Sequence, residues 1–395
     1  MKLSLLPLAL GGLTIGITEF VMMGLLPDVA RDLNVTIPEA GHLIAAYAIG
    51  VVVGAPLLVV AGRNMPPKKM LTILALMLTV FNALSIIAPG YDLLLASRFL
   101  SGLPHGAFFG VGAVVASRLA DKGKEAQSIA IMFTGLTIAN VVGVPLGTWI
   151  GHHLNWRYTF VIIAVIGLIT AISMAMYMPA LDQQKNAPMR QQMAFFSKFK
   201  AWLIMFITAI GFGGLFCWIS YIAPLLTEVS GFSAENVPYI MMLAGVGMVA
   251  GNFIGARLAD RYSPAKTLLI LLIFMSATLT AVYFFSGNQY TSLILVFFTP
   301  CVAFTLIAPI NMLAIQTAVG AEMIASAALQ AAFNIGNALG AYFGGLPLEY
   351  GYGYTSPEIV GIVMALVGAG ATLLFIKTTP ASELAPSAEK PLMMH

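Results

Sequence analysis

Residues 17–27, ITEFVMMGLLP, place a glutamate among side chains that otherwise belong in lipid, and between Leu5 and Leu26 Glu19 is the sole charge. An acidic group at the centre of a membrane helix costs about 2.5–3.5 kcal/mol on translocon-derived scales, so its presence calls for a reason. Two more ionisable groups sit deep in apolar sequence: Arg98 in ASRFLSG and His105 in GLPHGAFFG, seven residues apart and so on one helical face. With Pro27 taken as the outer end of the first span and Asp92 as that of the fourth, a rise of about 1.5 Å per residue puts Glu19 ~12 Å deep, Arg98 ~9 Å and His105 ~20 Å. A carboxylate at a depth between a fixed cation and a titratable imidazole is suited to carry a proton or to bind a cationic substrate. Two structural alternatives stay open: an ion pair of Glu19 with Arg98 that joins two helices, and His105 as a satisfied interhelical hydrogen-bond partner rather than a proton relay.

Uncharged polar groups form a second set. Asn140 lies in GLTIANVVGVPLGTWIG, where Gly143 and Gly147 at four-residue spacing permit close helix contact and Pro145 weakens the backbone ladder enough to allow bending. Further on, AFNIGNALGAYFGG continues a stripe that holds Gln330, Asn334 and Asn337. These amides can hydrogen-bond a substrate or merely a neighbouring helix. Trp218 and Tyr221, near Phe216, are candidate cavity aromatics, although aromatics also serve packing. The substrate-cavity set is therefore Asn140, Trp218, Tyr221, Gln330, Asn334 and Asn337.

The elements that must hold these residues are membrane helices. The chain has 395 residues, 59% hydrophobic and 9% charged, against about 25% charged in a soluble domain. A bilayer crossing takes about 20 apolar residues, and twelve such runs appear, near 4–26, 38–61, 70–88, 93–117, 127–150, 158–178, 201–226, 237–256, 267–286, 291–318, 323–347 and 358–376. Their length predicts helices, since barrel strands would be about 10 residues of alternating pattern. MKLSLLPLALGG resembles a secretory signal only superficially, because its apolar run continues to Leu26 without a cleavage pattern. Of the 19 Lys and Arg residues, only Arg31, Arg98 and Arg157 fall on or near the side opposite the termini. The positive-inside rule then predicts both termini in the cytoplasm; the localisation expected is a bacterial inner membrane. Shifting the sequence by 197 positions superposes Gly16 on Gly213, Gly50 on Gly247, Gly54 on Gly251, Asn140 on Asn337, Gly143 on Gly340 and Gly147 on Gly344. Six spans per repeat give the halves one orientation, related by a pseudo-two-fold axis along the membrane normal, with a site at their interface. The expected organisation is a six-helix bundle over 1–178, a cytoplasmic linker over 179–200, a second six-helix bundle over 201–377 and a disordered tail over 378–395.

No HExxH, GxSxG, Walker loop or Cys/His metal cluster appears, so no cofactor, metal or enzymatic activity is expected, and nothing resembles a nucleic-acid motif. Cys217 and Cys301 both lie in apolar runs and read as buried small hydrophobes. Without an ATP site, uphill transport would draw on an ion gradient.

With these features the chain resembles the major facilitator superfamily over nearly its full length. ARLADRYSPAKTL resembles the superfamily's loop motif between the eighth and ninth helices, RFLSG its fourth-helix motif, and GVPLGTWIG followed by WRYTF the fifth-helix signature of proton-driven antiporters. TEFVMMGLLP and PHGAFFGVGAVV look closest to the arabinose-efflux-permease-like branch. The resemblance implies alternating access around a central cavity, proton coupling through Glu19 and Arg98, and a cytoplasmic conformational latch at Asp260 and Arg261. In the first half Arg63 stands where the repeat register has Asp260, so that latch would be one-sided. The function expected is proton-coupled efflux, by antiport, of small organic molecules such as drugs, sugars or purines, by a monomer in the lipid bilayer. The alternatives are a proton-independent sugar or nucleoside facilitator, in which Glu19 only binds substrate, and a membrane receptor or enzyme without transport.

Overall fold

The computed structural model describes residues 3–62, 64–121, 125–181, 194–318 and 322–380, without the side chains at 125–127, 194, 260, 322–324 and 327. Among the described residues there are helices and no strands. Ten continuous stretches are long and apolar enough to cross a membrane; one of them, Ser128–Tyr177, is 50 residues long and makes two passes. With Glu322–Glu349 the chain makes twelve passes, arranged as two bundles of six.

In the first half these are α1 (Leu6–Leu33), α2 (Ile37–Gly62), α3 (Pro67–Ile87), α4 (Tyr91–Leu119), α5 (125–155) and α6 (Trp156–Tyr177). In the second they are α7 (199–229), α8 (Val237–Arg261), α9 (Pro264–Phe285), α10 (289–317), α11 (Glu322–Glu349) and α12 (Ser356–Thr378). Large apolar side chains such as Met176, Phe253 and Phe274 stay exposed, as expected of surfaces that face lipid rather than water.

The glycines paired by the 197-residue shift mark equivalent close approaches. A Cβ on Gly50 or Gly54 of α2 would lie 2.1 Å from the carbonyl oxygen of Phe99 or Leu103 in α4. On Gly247 or Gly251 of α8 it would lie 2.3 or 2.1 Å from that of Phe297 or Cys301 in α10. Small residues let membrane helices pack backbone to backbone, and the two bundles use this at matching places. Because backbone atoms cannot give way as a side chain tip can, Gly54→Ala is expected to destabilise the first bundle by about 1–3 kcal/mol. Thermal unfolding in detergent would show this as a lowered midpoint, with Gly110→Ala, where a Cβ meets nothing within 4 Å, as the neutral control.

One boundary differs from expectation. Pro27 does not end the first helix: α1 runs through it to Leu33, where Asn34 closes it in a left-handed conformation (φ 54°). The final turns carry Asp28, Arg31 and Asp32, and these hold the extension in place. Asp28 accepts from Arg31 at 2.7 Å and faces His152 Nδ1 at 3.2 Å, and Asp32 accepts from Trp156 Nε1 at 2.9 Å and from Arg157. These anchors offset the hydrogen bond that proline removes. The extension also moves Glu19 to the helix midpoint, ~21 Å from Leu33 at about 1.5 Å per residue.

Cys217 and Cys301 are free and buried. Most of the 179–200 connection, Arg63 and the tail beyond Pro380 lie outside the described residues, as does the side chain of Asp260.

Candidate functional site at the interface of the two halves

Glu19 is 8% exposed at the middle of α1. Its Oε1 accepts from Asn337 Nδ2 of α11 at 3.4 Å, a contact that reaches from one half of the molecule to the other. The 197-residue shift pairs Asn337 with Asn140, which also lies at the interface: a Cβ on Gly245 of α8 would meet the Asn140 carbonyl oxygen at 2.3 Å.

Arg98 is fully buried on α4, and its Nη2 donates to the Thr18 carbonyl at 2.9 Å, one residue before Glu19. Among the described residues it makes no direct ion pair with Glu19. Its guanidinium carbon stands 4.7 Å from the centre of the Tyr47 ring and 5.8 Å from that of Phe160, while Nε and Nη1 have no hydrogen-bond partner. His105, one face of α4 further in, contacts the Tyr47 hydroxyl through Nδ1 at 3.0 Å. Glu19, Tyr47, Arg98 and His105 thus form one buried polar cluster in the first half, and its contact with the second half is Asn337.

The remaining amides and aromatics divide. Asn334 is buried on α11, donates to the Gln330 carbonyl at 3.0 Å and leaves Oδ1 without a partner, as does Asn337. Trp218 is buried with an unpartnered Nε1. These orphaned polar atoms are the kind that a substrate or ordered water satisfies. Tyr221 is committed to packing: its hydroxyl donates to the Ala341 carbonyl at 2.6 Å, and glycines flank it from both halves. A Cβ on Gly41 of α2 would lie 2.3 Å from that hydroxyl, and one on Gly345 of α11 would lie 2.4 Å from it. Nearby, His42 of α2 stacks on Tyr342 of α11 at 5.8 Å and faces Glu349 at 4.0 Å. These contacts make a seam on the face opposite the chain termini.

The turn just before Pro145, Ala139–Gly143, is π-helical, so α5 is widened at Asn140. Gly143 and Gly147 are packing positions, where a Cβ would meet Ile17 of α1 at 2.5 Å and Thr159 of α6 at 2.8 Å. Arg261 is exposed, with its guanidinium 5.9 Å from the Tyr262 ring. No group of residues able to hold a metal ion occurs among the described residues.

The residues that sequence reasoning missed are Tyr47, the seam pair His42 and Glu349, and Glu358. Glu358 lies in the first turn of α12 but is 1% exposed, a buried carboxylate in the second half. A lone tyrosine or a histidine near a helix end is too common in membrane sequence to stand out.

Twelve helices in two bundles around a charged seam have a counterpart in known proteins. The family model for the Major Facilitator Superfamily matches residues 8–329. The chain belongs to the major facilitator superfamily. Members are transporters rather than enzymes. The chain is 38% identical over 375 residues to the Putative transporter AraJ of Escherichia coli K12, covering 95% of each protein. It is 30% identical to a Chloramphenicol resistance protein of Streptomyces lividans, over 90% of this chain and 92% of that one. The crystal structure of a D-xylose-proton symporter superposes with a TM-score of 0.73 at 15% identity, covering 95% of this chain and 97% of the other, a likeness of fold alone. This superfamily chain is thus a multi-pass membrane transporter with a buried carboxylate where its halves meet.

Proposed function

We propose that the chain exports small organic molecules from the cytoplasm in exchange for protons, by alternating access, with Glu19 carrying the proton. The observation that carries this reading is the placement of one carboxyl group between a partner in each half: Asn337 bonds it across the interface, and the unpaired Arg98 stands beside it in its own half. Parting of the halves at the seam breaks the Asn337 contact and leaves the carboxyl to Arg98. A neighbouring cation favours the ionised form and desolvation the neutral one, so the two arrangements hold the proton with different strength. That difference is what couples protonation to conformation. A carboxylate locked permanently to Arg98 could not respond.

Export from the cytoplasm rests on the basic residues of the terminal face and on the efflux-type sequence motifs. Reporter domains fused after Gln184 and after His395 are expected to report cytoplasm, and one inserted near Asn155 the opposite side. A C-terminal reporter on the outside would overturn the orientation.

The test of coupling is flux in proteoliposomes with and without an imposed pH gradient. A ligand comes first: thermal-shift screening of lipophilic cations, purines and sugars, beginning with chloramphenicol because of the Streptomyces relative's name, detects binding through stabilisation of about 2.7 kcal/mol at a hundredfold excess over Kd. Flux that ignores the gradient would favour the facilitator reading.

Asn337 gives a sharper test. Asn337→Asp sets a second carboxyl at the position of an amide now 3.4 Å from Glu19. Two carboxylates so close repel when both ionise, so transport by this variant should fail at alkaline pH and recover as the medium is acidified. Asn337→Ala should lower export several-fold without that acid rescue. A profile for Asn337→Asp parallel to wild type would remove Asn337 from the mechanism.

A further inference from the structure

We propose that Tyr47 is a positioning residue for the proton step: its ring holds Arg98 beside Glu19, and its hydroxyl, tied to His105, fixes the ring. This inference rests on the reading of Glu19 as proton carrier and assigns His105 a different task from proton transfer.

Arg98 is a buried charge short of partners, with one hydrogen bond from Nη2 and two nitrogens without any. What surrounds it instead is aromatic, and the nearer ring, 4.7 Å away, belongs to Tyr47. A desolvated cation over a tyrosine face is held by its attraction to the ring's negative face. The ring cannot drift along its helix. Tyr47 is 1% exposed, and α2 meets α4 so closely that a Cβ on Gly102 would lie 2.1 Å from the Tyr47 carbonyl oxygen. Its hydroxyl is bound to His105 Nδ1 at 3.0 Å, and the His105 ring is in turn wedged edge-on against Phe109 at 5.3 Å. The chain of support runs from Phe109 through His105 and Tyr47 to Arg98, and ends at the Thr18 carbonyl beside Glu19.

The titratable and charged groups around this cluster are Glu19 from α1 and Arg98 and His105 from α4; α6 contributes Phe160 and α11 contributes Asn337, neither of which titrates. The separation of Arg98 from Glu19 sets how strongly the positive charge favours the ionised carboxylate. Tyr47 governs that separation without touching the proton.

Five variants test this in proteoliposomes, scored by the pH midpoint of gradient-driven export of the screened ligand. Tyr47→Leu removes ring and hydroxyl and should move the midpoint up by about one unit, equivalent to tenfold. Tyr47→Phe and His105→Leu each cut the tie but keep the ring, so each should give a smaller upward shift. The double variant should be no worse than either alone, because both singles remove one hydrogen bond. His105→Asn, which cannot titrate near neutral pH but can still bond the hydroxyl, should keep the wild-type midpoint and driven transport.

Additive shifts in the double variant, unchanged midpoints in all Tyr47 variants, or loss of driven transport in His105→Asn would each overturn the proposal. The cycle of conservative variants decides the matter even if Tyr47→Leu does not fold. Glu19→Gln, assayed alongside, separates the two levels: if it retains driven transport, the proton reading has failed, whereas a wild-type pH profile in Tyr47→Leu beside an inactive Glu19→Gln fails Tyr47 alone.

Discussion

Glu19→Gln is expected to abolish export driven by a pH gradient while the protein stays folded and still exchanges substrate across the membrane. Glutamine keeps the volume and the amide-to-oxygen contact from Asn337 but holds no exchangeable charge, so it imitates the protonated carboxyl in every state. Transport cycles that require the proton to leave then stall, and steps that require only a neutral group continue. The expected loss is at least about a hundredfold, since removing the group that links two processes removes the link rather than weakening one contact. Driven export by Glu19→Gln at the wild-type proton stoichiometry would make Glu19 a structural residue, with His105 and the buried Glu358 the next carboxyl or imidazole groups to examine.

The second large effect concerns the seam. Gly41→Leu puts a branched side chain where even a Cβ falls 2.3 Å from the Tyr221 hydroxyl. That hydroxyl has no room to retreat, being bonded to the Ala341 carbonyl at 2.6 Å with Gly345 pressed against its other side. Packed interfaces answer such wedges by switching arrangement rather than by small adjustment. The seam should therefore stay open. Net transport is expected to fall below a few per cent of wild type by the arithmetic of a two-state shift, while ligand binding from the seam side persists. Cysteines introduced at Pro38 and Leu346 should label faster than in the parent protein. Slow labelling together with normal transport would show that α2 and α11 do not need to meet here.

How much of this was legible beforehand depends on what each feature answers to. The twelve passes follow from apolar run length, which is a property of single segments, and the repeat follows from glycines whose spacing is set by close helix contact. Glu19 and Arg98 stand out because charges are costly in lipid and therefore rare. The partnership of Glu19 with Asn337 was not legible: the two lie 318 residues apart, and their meeting is decided by how the bundles dock. The expectation that Tyr221 would line a cavity met the same limit, because its packing depends on Gly41 and Gly345, which the 197-residue shift does not pair. Pro27 misled by the reverse route. A local helix-ending signal was overridden by anchors from α5 and α6 that hold Asp28 and Asp32.

The proposal that a proton on Glu19 is exchanged as substrate is carried is tested most directly by counting protons. Purified protein in weak buffer is mixed with the ligand identified by thermal shift, and the pH of the solution is followed. Wild-type protein is predicted to release protons as the ligand binds, and Glu19→Gln to bind the same ligand with no release. Equal release from both proteins would contradict the account, because the proton would then come from a group other than Glu19.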